Sequence, residues 1–310
     1  MQDTPLIKTP QYDDEIDFRE LWLLLRNGWK AIATATVVAA IASLLYGFSL
    51  TEIYRSEALL APAETRQPSN PLLNQFGAAA GLIGINVSEN DSKISAAIAT
   101  LQSRQFIKEF ISAHEILPYL MASSWNAETD ASEIYSALYD IETGTWRSGQ
   151  PTEEEAYKAF REILYISENA TNQMVTIAVE WLDPRLAQQW VNWLVQDINN
   201  LLKKQDQQEA QNAIEYLQNQ LRSTQLIEMQ NIFYQLIESQ MRVVMLADVR
   251  DEYVFRVVDP AFIPEEKIRP RKAIIAILGT SAGFMFALVY LIVMHYLNRQ
   301  QTTQNGKSAT

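Results

Sequence analysis

The chain has no cysteine and only two histidines, His114 and His295. A disulfide framework, a thiol nucleophile and a cysteine-based zinc site are therefore all excluded. Two histidines so far apart give no pair with zinc spacing, and no phosphate-cradling GxxxxGK[ST] string occurs. His114 reads as a surface helix residue, and nothing marks two of the many carboxylates as an acid/base couple. No catalytic, cofactor-binding or metal-ligating residue is assigned. Positive charge is scarce as well: residues 52–272 hold 31 acids against 19 bases, a net of −12. Such a surface repels nucleic acid and anionic headgroups, so no nucleic-acid partner is expected.

Charge is missing altogether from two long runs, 31–51 and 273–294. At about 1.5 Å of rise per residue, each spans roughly the 30 Å of a bilayer's hydrocarbon core. Trp29, Tyr46, Tyr290 and Tyr296 lie near their ends, as interfacial anchors should. A cleaved signal peptide fits the first run badly, because the segment 1–30 before it is long and carries six acids against four bases. Lysine and arginine near the spans number five on the termini and six on the loop, so charge gives no orientation.

Small residues recur at every fourth position along the spans. Ala31, Ala35, Ala39, Ser43 and Gly47 do so in the first, and Gly279, Gly283 and Ala287 in the second. This spacing lets helix backbones approach closely, and both runs show it, so a packing ridge is expected.

Glycine and proline are absent from Arg185 to Asp259. Asp183-Pro184 supplies an N-cap and a first-turn proline, so a helix is expected from 184 to about 221. Its apolar face runs through Leu186, Trp190, Leu194, Ile198 and Leu201, then Ile214, Leu217 and Leu221. Arg222-Ser223-Thr224 offers a break. A return helix should follow, facing inward through Ile232, Leu236, Ser239, Val243 and Leu246. The outward helix would reach about 57 Å, exposed and polar-faced, so its remaining apolar side should be covered by the return helix and by neighbouring subunits. Trp190, Trp193, Leu194, Leu217 and Leu221 are the interface candidates.

Strands are expected at 54–61, in two runs within 165–181 about a polar turn at Asn169–Asn172, and near 253–258. Met174, Thr176, Ala178 and Glu180 alternate with Val175, Ile177, Val179 and Trp181, the pattern of a half-buried strand. Residues 92–116 read as helix, slipped between Leu101 and Ile107 and ended by Pro118; a second helix covers 153–164. The glycine-bearing stretch 70–89 reads as a loop with a short helical piece. Pro260 and Pro264, then Pro270, Arg271 and Lys272, make a stiff basic lead-in to the second span.

The fold class is therefore α+β, with two transmembrane helices flanking an α/β base that carries a long helical hairpin. The expected organisation is a tail at 1–30, a span at 31–51, the base at 52–182 and the hairpin at 183–250. A return strand and lead-in at 251–272, a span at 273–294 and a tail at 295–310 complete it.

Five pieces carry a resemblance: DEIDFRELWLLLRNGWK (14–30), LQSRQFIKEF (101–110), DPRLAQQWVN (183–192), IESQMRVVMLADVRDEYVFRVVDPAFIP (237–264) and the proline-basic lead-in with glycines behind it. In this order they resemble the Wzz-type polysaccharide chain-length determinants, also called polysaccharide co-polymerases. The family's glycine-rich signature is present in part, as GTSAG (279–283), and residues 119–152 match nothing in it. The resemblance implies a bacterial inner-membrane protein with cytoplasmic termini and a periplasmic domain, assembled as a ring-like homo-oligomer. It also implies a non-enzymatic role in setting O-antigen or related polysaccharide length beside a Wzy-type polymerase, with lipid-linked polysaccharide as a further partner. The tail at 295–310 is too short for the tyrosine kinase that some relatives carry after the second span, so that activity is not expected here. Two other readings stand beside it: the membrane subunit of an exporter with a separate kinase, and a receptor-like sensor.

Overall fold

A computed structural model describes residues 18–63, 89–126 and 131–307. The loop expected over most of 70–89 and most of the N-terminal tail lie outside these residues. The chain divides into two units, residues 1–50 with 270–310, and residues 51–269.

In chain order, α1 is Phe18–Ser49 and β1 is Ile53–Pro62. Then come α2 (Glu89–Leu101), α3 (Arg104–Ala113) and α4 (Leu117–Ala122). Two small antiparallel ribbons follow, β2 (Ser123–Asn126) with β3 (Ala131–Ile134), and β4 (Tyr139–Asp140) with β5 (Thr145–Trp146). Next are α5 (Glu153–Ile163), β6 (Leu164–Glu168) and β7 (Val175–Trp181). The chain then runs through α6 (Pro184–Ser223), α7 (Ile227–Val249), β8 (Phe255–Asp259), β9 (Lys267–Arg269) and α8 (Lys272–Lys307).

The 51–269 unit is built on an antiparallel sheet of order β6-β7-β1-β8, with β9 also paired to β1. β1 registers on β7 from Tyr54 opposite Trp181 to Leu60 opposite Val175. Its other edge takes β8 near Leu60 and β9 near Ile53, so the first strand sits at the centre of the sheet. The first half of α6 packs on β1 and β7. Trp190, Phe110, Phe160, Phe255 and Leu60 are among the largest fully buried side chains of this core. Burying each contributes about 1.5–3 kcal/mol.

Several expectations are corrected here. Pro118 opens a helix instead of ending one: α3 stops at Ala113, Glu115 takes a positive φ of 51°, and Pro118 occupies the first turn of α4. The slip seen between Leu101 and Ile107 is a true break, with Ser103 Oγ accepting the Phe106 N–H at 3.2 Å as an N-cap. β7 is buried on both faces, since Ala178 and Glu180 are buried too. As an inner strand it has Ala178 flanked by Tyr165 and Glu57, with Arg55 lying over the Tyr165 ring. His114 is a half-buried C-cap whose ring stacks on Trp193 at 4.2 Å and whose Nε2 meets Asp197 Oδ2 at 2.7 Å.

A further correction concerns α7. Ala247 is buried and Phe233, Ile237, Val243, Val244 and Leu246 are half-buried, so the expected face holds at Val243 and Leu246, whereas Ile232 and Leu236 are 48% and 45% exposed. α7 carries apolar side chains on more than one face, so periodicity alone could not select the inward one. At 40 residues α6 is about 60 Å long. Its buried residues all lie between Ala187 and Asn199, apart from Ala210.

In the other unit, α1 and α8 pack against each other. Gly28–Ser49 and Lys272–Met294 are long and apolar enough to cross a membrane. Most of their large apolar side chains point outward, Val37, Ile41, Leu45 and Phe48 on one and Ile277, Met285 and Phe286 on the other.

Candidate functional site

The small-residue ridges of α1 and α8 meet each other. A Cβ built on Gly279 would overlap Ser43, and one on Gly283 would overlap the Ala39 side chain, with the Ala35 carbonyl 3.7 Å away. Gly47 is buried and lies against Ile275, and Ala287 is 8% exposed. The candidate packing residues thus form one seam, except that the Ala35 side chain is exposed and only its carbonyl takes part.

The seam also contains a string that spells a catalytic motif. Residues 279–283, GTSAG, spell G-x-S-x-G, the letters of a hydrolase nucleophile elbow. That chemistry needs a serine on a strand-to-helix turn beside a base. Ser281 instead lies inside α8 with its hydroxyl donating to the Leu278 carbonyl, so the string is helix packing.

The lead-in is fixed by ion pairs within the 51–269 unit. Lys267 pairs with Glu52, and Arg269 meets the largely buried Glu180 at 3.1 Å, with Arg55 at 3.7 Å from the same carboxylate. Pro264 is buried, Pro260 exposed and Pro270 half-buried. Arg271 is exposed, and Lys272 Nζ lies 4.3 Å from the Phe48 ring centroid, a cation–π contact.

The interface candidates separate into two groups. Trp190 and Leu194 are fully buried against their own sheet, which removes them from any surface; a helix this close to its base spends its largest residues on the core. Trp193 is half-buried beneath His114. Leu217 and Leu221 are half-buried along the distal hairpin. The exposed apolar side chains lie on the return helix and the turn instead: Leu226, Ile227, Ile232, Met245 and Val249.

Among the polar ties at the hairpin base, two join α6 to the segment entering β8, and sequence reasoning missed both. Asn199, 5% exposed, donates from Nδ2 to the Phe255 carbonyl, and its Oδ1 accepts the Val254 and Phe255 N–H groups. Tyr253 Oη donates to Asp206 Oδ2 at 2.6 Å. Burial, then the Asp206 carboxylate, raise the Tyr253 pKa far above its ordinary value of 10.0. Because the folded value lies above the unfolded one, this contribution is whole below pH 10 and is lost as pH rises beyond it. Tyr253→Phe is expected to lower stability by about 1–2 kcal/mol at neutral pH, read by urea unfolding. An unchanged midpoint would show that the tie carries nothing.

Among the described residues, no group of three or more His, Asp or Glu is placed to hold a metal ion. The arrangement can pack and associate.

The class these features define is a membrane protein with two spans and an α+β unit carrying a long helical hairpin. Residues 14–114 match the family model of the chain length determinant protein, Wzz, which takes in the first two of the pieces carrying the resemblance. Among solved structures, a full-length bacterial polysaccharide co-polymerase is similar at 15% identity and a TM-score of 0.45, over 92% of this chain and 99% of that one. A fragment of WzzB, a polysaccharide co-polymerase from Salmonella Typhimurium, is similar at 14% identity and a TM-score of 0.29, over 71% and 100%. A mutant of the Shigella flexneri lipopolysaccharide O-antigen chain-length regulator WzzBSF gives 14%, 0.22, 70% and 100%. No curated protein matches the sequence.

Proposed function

We propose that this chain sets the length of a bacterial surface polysaccharide, O-antigen or a related polymer, without itself forming glycosidic bonds. It acts as a homo-oligomer in the inner membrane beside a Wzy-type polymerase, with both termini cytoplasmic and the 51–269 unit periplasmic. The match of residues 14–114 to the chain length determinant family is the observation that carries this reading. The uncovered apolar side chains of the hairpin support self-association, because a monomer gains nothing by exposing Ile227, Ile232 and Met245 together.

Deleting the gene should leave polymer synthesis intact and abolish the preferred length band on a gel of the cell's polysaccharide. Complete loss of polymer would favour the exporter reading, and an unchanged band pattern would favour the sensor. A finer test is Ile232→Asp with Leu236→Asp, both on the exposed face of α7. The double variant should keep the wild-type melting temperature while its oligomer mass falls and the length distribution broadens. Full oligomer mass with a normal band would place self-association elsewhere.

A further inference from the structure

A cleft of about 410 Å³ opens where α6 meets β8 and the connection leading into that strand. This volume is in the range of small-ligand sites, roughly 300–1,000 Å³. Asn192, Gln196 and Asn200 line one side, and their i, i+4, i+8 spacing sets three amides in one stripe. Asp251 and Glu252 line it too, and Ala58, Val195 and the partly exposed Val257 supply its apolar surface.

The stripe differs from its neighbour in one respect. Asn199, one position away, spends its amide on backbone groups. Asn192, Gln196, Asn200 and Asp251 have no side-chain hydrogen-bond partner among the described residues. Glu252 spends one oxygen on the Val257 N–H at 3.0 Å, which also occupies a backbone donor of β8, and keeps the other free. No lysine, arginine or histidine lines the cleft. Phosphates and carboxylates are therefore disfavoured, since both charged groups in it are negative.

The chemistry that fits is a neutral polyhydroxyl compound. Carboxylates accept from hydroxyl groups, amides donate to and accept from them, and apolar side chains beside them can receive the C–H face of a sugar ring. We infer that this cleft binds a neutral saccharide. That its natural ligand is a sugar of the growing polymer rests on the function proposed above.

The test uses the full-length chain in detergent. The probe is the oligosaccharide mixture released by mild acid from the producing cell's own surface polysaccharide. Saturation-transfer NMR should show transfer to the sugar protons with the wild type. Gln196→Trp, which fills the cleft from an exposed helix position, should remove it. Asn200→Ala should weaken binding roughly tenfold, the loss of one or two hydrogen bonds. Gln218→Trp, an exposed change farther along α6, should bind as the wild type does, and circular dichroism should be the same for all four. Absence of transfer to the wild type overturns the proposal, as does equal transfer to Gln196→Trp. Two further outcomes overturn it: competition by calcium alone, which would make this a cation site, and an effect of Gln196→Trp on oligomer mass with unchanged sugar binding. Length control in cells without measurable sugar binding would sink the cleft and leave the proposed function standing. A deletion strain with a normal length band would do the reverse.

Discussion

Asn199→Leu is expected to bring the 51–269 unit to the edge of unfolding. Leucine branches at Cγ as asparagine does and is somewhat larger, so no cavity opens. What changes is hydrogen bonding: the Val254 and Phe255 N–H groups lose their acceptor at 2.8 and 2.9 Å, and the Phe255 carbonyl loses its donor at 3.0 Å. Each polar group left buried without a partner costs about 1–3 kcal/mol. Three of them approach the entire stability of an ordinary domain, about 5–15 kcal/mol. The site also joins two segments far apart in sequence, the α6 helix and the start of β8, and no neighbour supplies the same bonds. Asn199→Asp keeps an acceptor for both N–H groups but turns a carboxylate toward the Phe255 carbonyl. It should be damaged less, and should recover as falling pH protonates the new acid and restores a donor. Urea unfolding followed by far-ultraviolet circular dichroism measures both, and a midpoint for Asn199→Leu equal to the wild type would refute the argument.

That asparagine shows where sequence reading stops. The spans were legible because absence of charge throughout 31–51 and 273–294 has one simple explanation, the bilayer. The start of α6 was legible because Asp183 and Pro184 announce a helix locally, and Asp183 Oδ1 does accept the Arg185 N–H at 2.9 Å. The strand pair about Asn169–Asn172 was legible for the same reason, a turn between two short apolar runs. Asn199 was not, because an asparagine among the polar positions of a helix looks like any exposed one until β8 is laid beside it. The central place of β1 escaped for the same reason: its partners β7 and β8 lie far downstream in the chain. Trp190 misled in the opposite direction. Its size and position near the hairpin base suit an interface anchor equally well, and only its contacts with Trp181 and Phe160 show that the core has taken it. The ribbons within 123–146 are held by pairs such as Tyr139 on Trp146, edge to face at 5.0 Å, which no period announces.

The span seam supports the other large effect, and it separates glycines that composition alone treats as equal. At Gly47 an added Cβ would stand 3.8 Å from Ile275, an ordinary contact, so Gly47→Ala should be neutral. At Gly279 and Gly283 even a methyl group would overlap Ser43 or Ala39 on the facing helix. Gly283→Ala should therefore push the helices apart, and Gly283→Leu should do so more strongly. Nothing recovers the loss: lipid tails are as apolar as leucine, so close packing is the main source of attraction between spans. The forfeited attraction is about 1–2 kcal/mol. Because this chain has no cysteine, disulfide crosslinking reads the seam without background. Cysteines placed at Ala39 and Gly283 would alter the seam itself. The better pair is Gly47→Cys with Ile275→Cys at its far end, where the two Cβ atoms would stand 4.0 Å apart, within disulfide reach. That pair should crosslink readily in membranes, less with Gly283→Ala added and little with Gly283→Leu. Since both ridges are already filled by each other within one chain, the first effect should be on the pairing of the two spans. Oligomer mass should fall only as a consequence. Undiminished crosslinking in Gly283→Leu membranes, with reduced oligomer mass, would reverse that order and assign the ridge to contacts between subunits.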